Sequence, residues 1–444
     1  MEILSGLAGH PERSAPVIHV AGSKGKGSVT GMISAMLEAA GFFPARYTSP
    51  HVSEYRERIT AGSRYFDESV YIQAGMELWE IAETVQRGSK KAYALFDTQS
   101  ERGEAPSFFE LLTLYFFLCA RAARRDVLVV ETGMGGRLDA TNIVDPLVSV
   151  ITAIELEHTQ YLGNTIAAIA GEKAGIIKAG RPLVLFEQEA EALNVFQEAA
   201  LEKGAPLYYF PRLAEIQSLC FDRQGTDFSL VFKDGEGTAP QKETPPFRRL
   251  SDTGKIDITL SIPGKIQGKN AGLSILALKA AFPRIGAEAI RSGLRNFRLP
   301  ARFERIRENP PVIIDGAHTP RSTELCADTF TSLYGEGGIL LFGCTAGKDG
   351  ETMARLLAPH FSRIIVTAPG SFKTSDPEKL FRFFQYEAEK IERPAQPRVS
   401  FMKDTEQAVR AALNLGEESG LPLLGTGSFY LAAAIRQEPH CKKS

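Results

Sequence analysis

The sequence predicts an α/β protein. It should contain a doubly wound parallel sheet carrying a small antiparallel sheet, followed by a smaller Rossmann-like α/β domain. Three observations support this. From residue 17, short β-branched runs alternate with helical stretches, as in β-α-β units. Between about 205 and 265 the texture changes to segments with period-two alternation. From PVIIDGAH onward a second β-α series begins.

In the first series VIHVA reads as a strand and SVTGMISAMLEAA as a helix stopped by Gly41. FFELLTLYFFLCARAA is interrupted by Glu110 and closed by Arg121. It is too short and too polar to span a bilayer and reads as a core helix. DVLVVE, LVSVITAI and RPLVLF are strands, with the helix NTIAAIAGEKAGIIK before the last of them. PLYYF, DFSLVFK and DITLSI form the expected antiparallel sheet, with a loose polar loop from about Lys233 to Lys255. The helices NAGLSILALKAAF and AEAIRSGLRNF lead to LPARFERI, where an extended X-Pro step at Leu299–Pro300 marks a hinge. The expected division is therefore 1–298 and 299–444. In the second part, strands GGILLFGCT, RIIVTAP, RVSFM and PLLGTGS alternate with helices TMARLLAPHF, PEKLFRFFQYEAEKI and TEQAVRAALNLG.

Composition narrows the function. The 444 residues allow two large domains. A net charge of -2 gives no general reason to expect nucleic acid, and no membrane span is legible. Five cysteines without a C-x-x-C pair, and no signal peptide ahead of them, fit a reducing compartment, with the cytoplasm as the default.

The chemistry gathers at strand ends. HVAGSKGKGS almost fits the phosphate-binding G-x-x-x-x-G-K-[ST]. Val20 stands where the first glycine belongs, and Gly27 separates Lys26 from Ser28. Strand, glycine loop and helix nonetheless follow in the order a phosphate site needs, so that Gly25, Lys26, Gly27 and Ser28 can meet phosphate oxygens at a helix N-terminus. The alternative is a structural turn with a solvated lysine. Glu131 ends DVLVVE, and His158 lies just past the end of the next strand. Both belong at the carboxyl edge where α/β sheets bind ligands, and together they suit a magnesium site more than either does alone. Alone, His158 reads as a structural histidine. GMGGRLD is not a dinucleotide fingerprint, because its glycine spacing is wrong and no helix opens behind it. Lys173 lies among small and apolar helix residues. It is either paired, with Glu172 or Glu131 as the expected partner, or chemically altered to an anion. Asp315, His318 and Ser428 stand at strand ends of the second series, either as caps and turn residues or as the opposite wall of a cleft.

These stretches, together with RYTSPHVSEYRERI, FFELLT, ETGMGGRLDATN, LEHTQYLG, AGEKAGIIK, LPARFE and IIDGAHTP in that order, resemble the folylpolyglutamate synthase and dihydrofolate synthase family of amide ligases, relatives of the cell-wall Mur ligases. The likeness runs from about residue 17 to Arg436, and that family's loop also ends G-K-G-S. It implies a P-loop domain over 1–298 that binds ATP and a glutamate-ligase domain over 299–444. Ser49, Glu131 and His158 would bind Mg²⁺, and Lys26 with its loop would hold the ATP phosphates. Asn270, Arg302 and Asp315 would hold the adenosine part. Ser107 and Phe108 would lie on the pterin side, His318 and Ser428 on the glutamate side, and Lys173 would be carbamylated. Lys26, Lys173 and His318 are the catalytic candidates. The implied substrates are a folate or dihydropteroate, L-glutamate and ATP, with a monomer expected.

The chain departs from the family at Ser23-Lys24, Glu157 and Thr319, none of which removes an implied ligand. Relatives carry an amphipathic segment ahead of the loop. With 21 residues before Gly22, the expectation is that either that segment lies outside this sequence or the pterin pocket is partly open. The rival readings are a cell-wall amino-acid ligase, disfavoured by TSPH followed by RERI, and an ATP-binding module without catalysis. Six arginines between 291 and 307 also suggest a site for a glutamate tail, with Arg295 and Arg298 as its expected members.

Overall fold

The computed structural model describes residues 1–87, 105–233, 254–370, 373–392 and 396–438. Its first sheet has seven strands in the order β3-β2-β4-β1-β5-β6-β7: β1 (Val17–Ala21), β2 (Pro44–Tyr47), β3 (Ile59–Thr60), β4 (Val127–Glu131), β5 (Val148–Ile151), β6 (Leu183–Leu185) and β7 (Leu207–Tyr209). All pairings are parallel except that of β3 with β2. β1, β4 and β5 are buried along their whole length, which is why they read as unbroken apolar runs. Because β1 lies between β4 and β5, the residues after these three strands meet at one point on the carboxyl edge.

The core helix Phe108–Ala122 packs against this sheet, with Leu114, Phe116, Phe117 and Leu118 almost wholly buried. Each such side chain contributes about 1.5–3 kcal/mol of burial. Among the described residues no helix is long and apolar enough to cross a membrane.

The small antiparallel sheet has the order β10-β9-β8, formed by β8 (Ala214–Phe221), β9 (Thr226–Phe232) and β10 (Gly254–Leu260). This corrects the expected composition. PLYYF supplies β7 and extends the parallel sheet, and the third antiparallel strand is AEIQSLCF. A register shift between Gln217 and Cys220, with Ser218 at φ 53°, breaks the alternation that would have revealed that strand. Most of the expected polar loop lies outside the described residues.

The third sheet runs β11-β12-β16-β13-β14-β15, from β11 (Glu304–Arg307), β12 (Val312–Ile314), β13 (Gly338–Phe342), β14 (Phe361–Val366), β15 (Arg398–Phe401) and β16 (Leu423–Thr426). Only β11 is antiparallel to its neighbour. β12 and β16 are adjacent, so the residues that follow them, Asp315 to His318 and Gly427–Ser428, share one edge. One apolar cluster joins Ile18 and Val150 of the first sheet to Ile313 and Leu424 of the third.

Candidate active site

The loop after β1 is shaped by close approach. Gly25 has φ 88°, and a Cβ there would lie 2.7 Å from Asn270 Oδ1, so this position needs glycine. The helix Lys26–Ala39 starts directly behind it, aiming its first N–H groups at the space in front. Lys26 Nζ donates to Gly22 O at 2.9 Å and to Ser23 O at 3.4 Å, curling over its own loop.

Glu131, at the end of β4, is 2 % exposed. Its Oε2 accepts from the Ser49 N–H at 3.1 Å. Burial pushes this carboxyl up to about 7, against the lowering influence of Lys26, the Ser49 N–H and Arg302. His158 adopts a left-handed φ of 48° ahead of a short helix and lines the large cavity described below. Burial is the main reason its imidazole sits below the usual value. Ser49 links these two residues: its N–H bonds Glu131, and it lines the large cavity together with His158. Among the described residues, no three His, Cys, Asp or Glu side chains form a metal cage. Mg²⁺ characteristically takes one or two protein oxygens and completes its shell with water and substrate phosphates.

Lys173 is 1 % exposed. Its Nζ donates to Gly22 O at 2.9 Å and to Glu157 Oε1 at 3.0 Å. The expected partners Glu172 and Glu131 are therefore replaced by Glu157. Neighbouring helix residues point to different faces, and Glu172 reaches Arg137 at 3.5 Å. Burial, helped by Lys26, pulls the Lys173 ammonium down to about 8 although Glu157 opposes the shift. Glu157 also lies 3.8 Å from Lys24, so two of the chain's departures from the family pattern meet beside the loop.

The turn at Ala301–Phe303 aims Arg302. Ala301 and Phe303 have φ of 52° and 47°, rare for such side chains, and polar contacts hold them. Asp315 accepts from the N–H groups of Phe303 and Ala317, each at 2.7 Å, and Glu304 accepts from the Ala301 N–H at 2.8 Å. The Arg302 guanidinium lies 4.4 Å from the centre of the Phe429 ring. Gly25, Ser28, Asn270, Arg302 and Asp315 line one cavity of about 170 Å³ between the first and third sheets.

A larger cavity of about 880 Å³ is lined by Ser49, Ser107, Phe109, His158, His318 and Ser428 among others. His318 donates from Nδ1 to Gly316 O at 2.8 Å, and burial holds its imidazole far below the ordinary value, leaving Nε2 an open acceptor. Ser428 caps the helix Phe429–Gln437, accepting from the Tyr430 N–H at 3.1 Å. Ser107 caps the core helix in a reciprocal box with Glu110. Phe108 is not among the lining residues. Its ring meets Tyr55 at 5.5 Å and Phe109 faces the cavity instead. Met134, Leu138 and Asp139 also line this space and were not singled out from sequence. Leu138 is 90 % exposed, an apolar side chain offered to a ligand with no local pattern to betray it.

A crevice beside a phosphate-binding loop, faced by a second α/β unit across a cleft, is the arrangement of the Mur-type ligases. The family described as Mur ligase, glutamate ligase domain, matches residues 301–429. The dihydrofolate synthase/folylpolyglutamate synthase of Bacillus subtilis strain 168 is 36 % identical over 373 residues, covering 82 % of this chain and 80 % of that protein. Its counterpart in Mycobacterium tuberculosis strain H37Rv is 33 % identical, covering 85 % and 75 %. A crystal structure of Mycobacterium tuberculosis folylpolyglutamate synthase complexed with ADP and AMPPCP matches at TM-score 0.81 and 30 % identity, over 98 % of this chain and 93 % of that one. The chain belongs to the dihydrofolate synthase/folylpolyglutamate synthase family.

Proposed function

We propose that this protein joins L-glutamate to a folate at the expense of ATP, with dihydropteroate as a second acceptor. The observation that carries this reading is that His318 and Phe429 line both the nucleotide cavity and the large cavity holding Ser49, His158 and Ser428, while Glu131, bonded to the Ser49 N–H, feels the charge of Lys26. A carboxylate resists attack by an amine. The acceptor oxygen therefore takes the γ-phosphoryl group of ATP, releasing ADP, and the glutamate amine then displaces phosphate from the acyl phosphate through a tetrahedral intermediate.

Lys26 would offset negative charge at the transferring phosphoryl group, and Gly25, Gly27 and Ser28 would cradle phosphate oxygens. Asn270, Arg302 and Asp315 would hold the rest of the nucleotide. His318 Nε2, fixed by the Gly316 carbonyl behind it, would orient the incoming amine beside Ser428. Ser107 and Phe109 would face the pterin, with Phe108 at the rim. Ser49, Glu131 and His158 would hold Mg²⁺, which when bound neutralises charge on the phosphate oxygens. All these groups lie on one chain, so a monomer suffices, and the buried free cysteines suit the cytoplasm. The proposed division of labour falls near Leu299, with ATP held mainly before it and glutamate mainly after it.

ADP release with each acceptor tests this function. It should require both L-glutamate and a folate. A nucleotide-linked cell-wall precursor that supports release better than folate would favour the cell-wall reading, and no release with any acceptor would favour a non-catalytic module.

We further propose that Lys173 is carbamylated in the working enzyme. The reaction needs a neutral amine, which becomes abundant as pH rises through about 8, while the Glu157 contact competes by favouring the ammonium. With carbon-13 bicarbonate at pH 8, a carbamate signal absent from Lys173→Ala is expected. That variant should lose about tenfold to a hundredfold in activity, the range typical of residues that support a metal site. No signal, with full activity in the variant, contradicts the assignment.

A further inference from the structure

A third cavity, of about 470 Å³, opens on the same reaction point from another side. Gly27, Ser49 and Glu131 line its inner end, and the Ser49–Pro50 turn is shared with the large cavity that holds His318 and Ser428. Its walls carry Arg46, Arg64, Arg298, Arg302 and Arg436 against only two carboxylates, Glu57 and Glu131. Glu57 is already engaged, accepting from the N–H groups of Val52, Ser53 and Glu54 at 2.6, 3.0 and 3.3 Å.

The guanidinium groups are mostly uncommitted. Among the described residues, Arg46, Arg64, Arg298 and Arg302 make no ion pair. Arg46 donates to Thr60 Oγ1 at 3.2 Å, Arg298 to Phe297 O at 2.8 Å and Arg302 to Ala301 O at 3.3 Å. Of the five, Arg436 alone is paired with a carboxylate among the described residues, Glu304 at 3.4 Å. Arg46 is held in place from β2, with Glu38 and Glu131 as its nearest opposite charges. Several guanidiniums around one space, in excess of their counter-charges, form a receptor for a molecule bearing several carboxylates.

The arginine run of the sequence does not form this receptor as a block. Arg291 donates to Asp257 O at 3.2 Å, Arg305 pairs with Glu308 at 3.0 Å and Arg307 with Glu417 at 2.6 Å. Arg295 faces a separate depression beside Asp227 and Asp257. Of the two arginines expected to hold a tail, only Arg298 reaches the cleft. Arg46, Arg64 and Arg436 come from elsewhere in the chain.

We infer that this arginine-lined cleft binds the α-carboxylates of the γ-linked glutamate chain on an acceptor that already carries more than one glutamate. The inference rests on the proposed ligase function. The terminal γ-carboxyl must reach Lys26 and Glu131, so the α-carboxylates near that end are held close beside it. Each added glutamate brings one more carboxylate to the guanidiniums. The site thus selects for chain extension over first addition.

Equilibrium dialysis without L-glutamate, using monoglutamyl and triglutamyl folates, tests this at low and physiological salt. The triglutamate should bind more tightly, with an advantage that shrinks as salt rises, because the pairs are partly exposed. Arg64→Ala, Arg298→Ala and Arg436→Ala should each reduce that advantage by about twofold to fivefold, the range for partly exposed ion pairs. Arg298→Lys should restore part of it, and Arg295→Ala should leave it intact. Arg64 is exposed and makes no ion pair among the described residues, so its variant should fold and carries the test even if Arg436→Ala does not. Equal affinities in the wild-type protein, or an advantage that survives the triple variant, overturn the cleft. A wild-type protein that ligates glutamate to neither folate overturns the ligase function instead, and dialysis still reads the cleft directly.

Discussion

Lys26→Ala is expected to reduce ligation by about a thousandfold or more while the protein stays folded. Removing one preorganised charge-stabilising donor from a transition state costs about 10²–10³ in rate, and a full ammonium aimed at a phosphoryl group lies at the upper end. The fold should tolerate the change, because among the described residues Lys26 Nζ bonds only to carbonyls of its own loop, Gly22 and Ser23. Steady-state ADP release with a thermal melt on the same preparation checks both halves. Normal turnover in a well-folded Lys26→Ala protein removes the phosphate role from this loop.

Glu131→Gln should cost about a hundredfold in activity and raise the magnesium concentration needed for half-maximal rate. Glutamine keeps the shape and can still accept from the Ser49 N–H, so the loss isolates the charge. Thermal stability should be unchanged or higher, because the substitution removes a carboxylate from an environment that disfavours its ionised form. A magnesium titration of initial rates distinguishes this from a structural role. An unchanged magnesium requirement, or a protein that melts well below wild type, contradicts it.

The parts legible in the sequence are those in which local pattern and global position agree. β1, β4 and β5 are buried on both faces and read as apolar runs, so the apolar pattern alone assigns the residues at and just beyond their ends to one edge. The loop before the helix Lys26–Ala39 is legible because its glycines answer a backbone requirement, seen at Gly25. AEIQSLCF is hidden because a bulge spoils its period. The Lys173–Glu157 contact joins a helix to a loop after β5, and sequence adjacency favours the wrong carboxylate. Phe109, Leu138 and Asp139 reach the large cavity through a helix start and a turn, where side-chain direction depends on tertiary placement. The Arg46–Arg64–Arg298–Arg436 convergence is farther from legibility still, since its members come from three separated regions: the β2–β3 pair with the turn after it, the segment before Leu299, and the last helix.

The central claim is that the acceptor carboxylate is activated by phosphoryl transfer and then taken by the glutamate amine. Its most direct test is a single turnover with a folate whose reacting γ-carboxylate carries oxygen-18, followed by mass spectrometry of the products. One labelled oxygen should appear in inorganic phosphate, and the folate should be longer by one glutamyl residue, with label transfer and ligation in equal amounts. Label found in AMP, or unlabelled phosphate accompanying full ligation, would contradict the acyl-phosphate route.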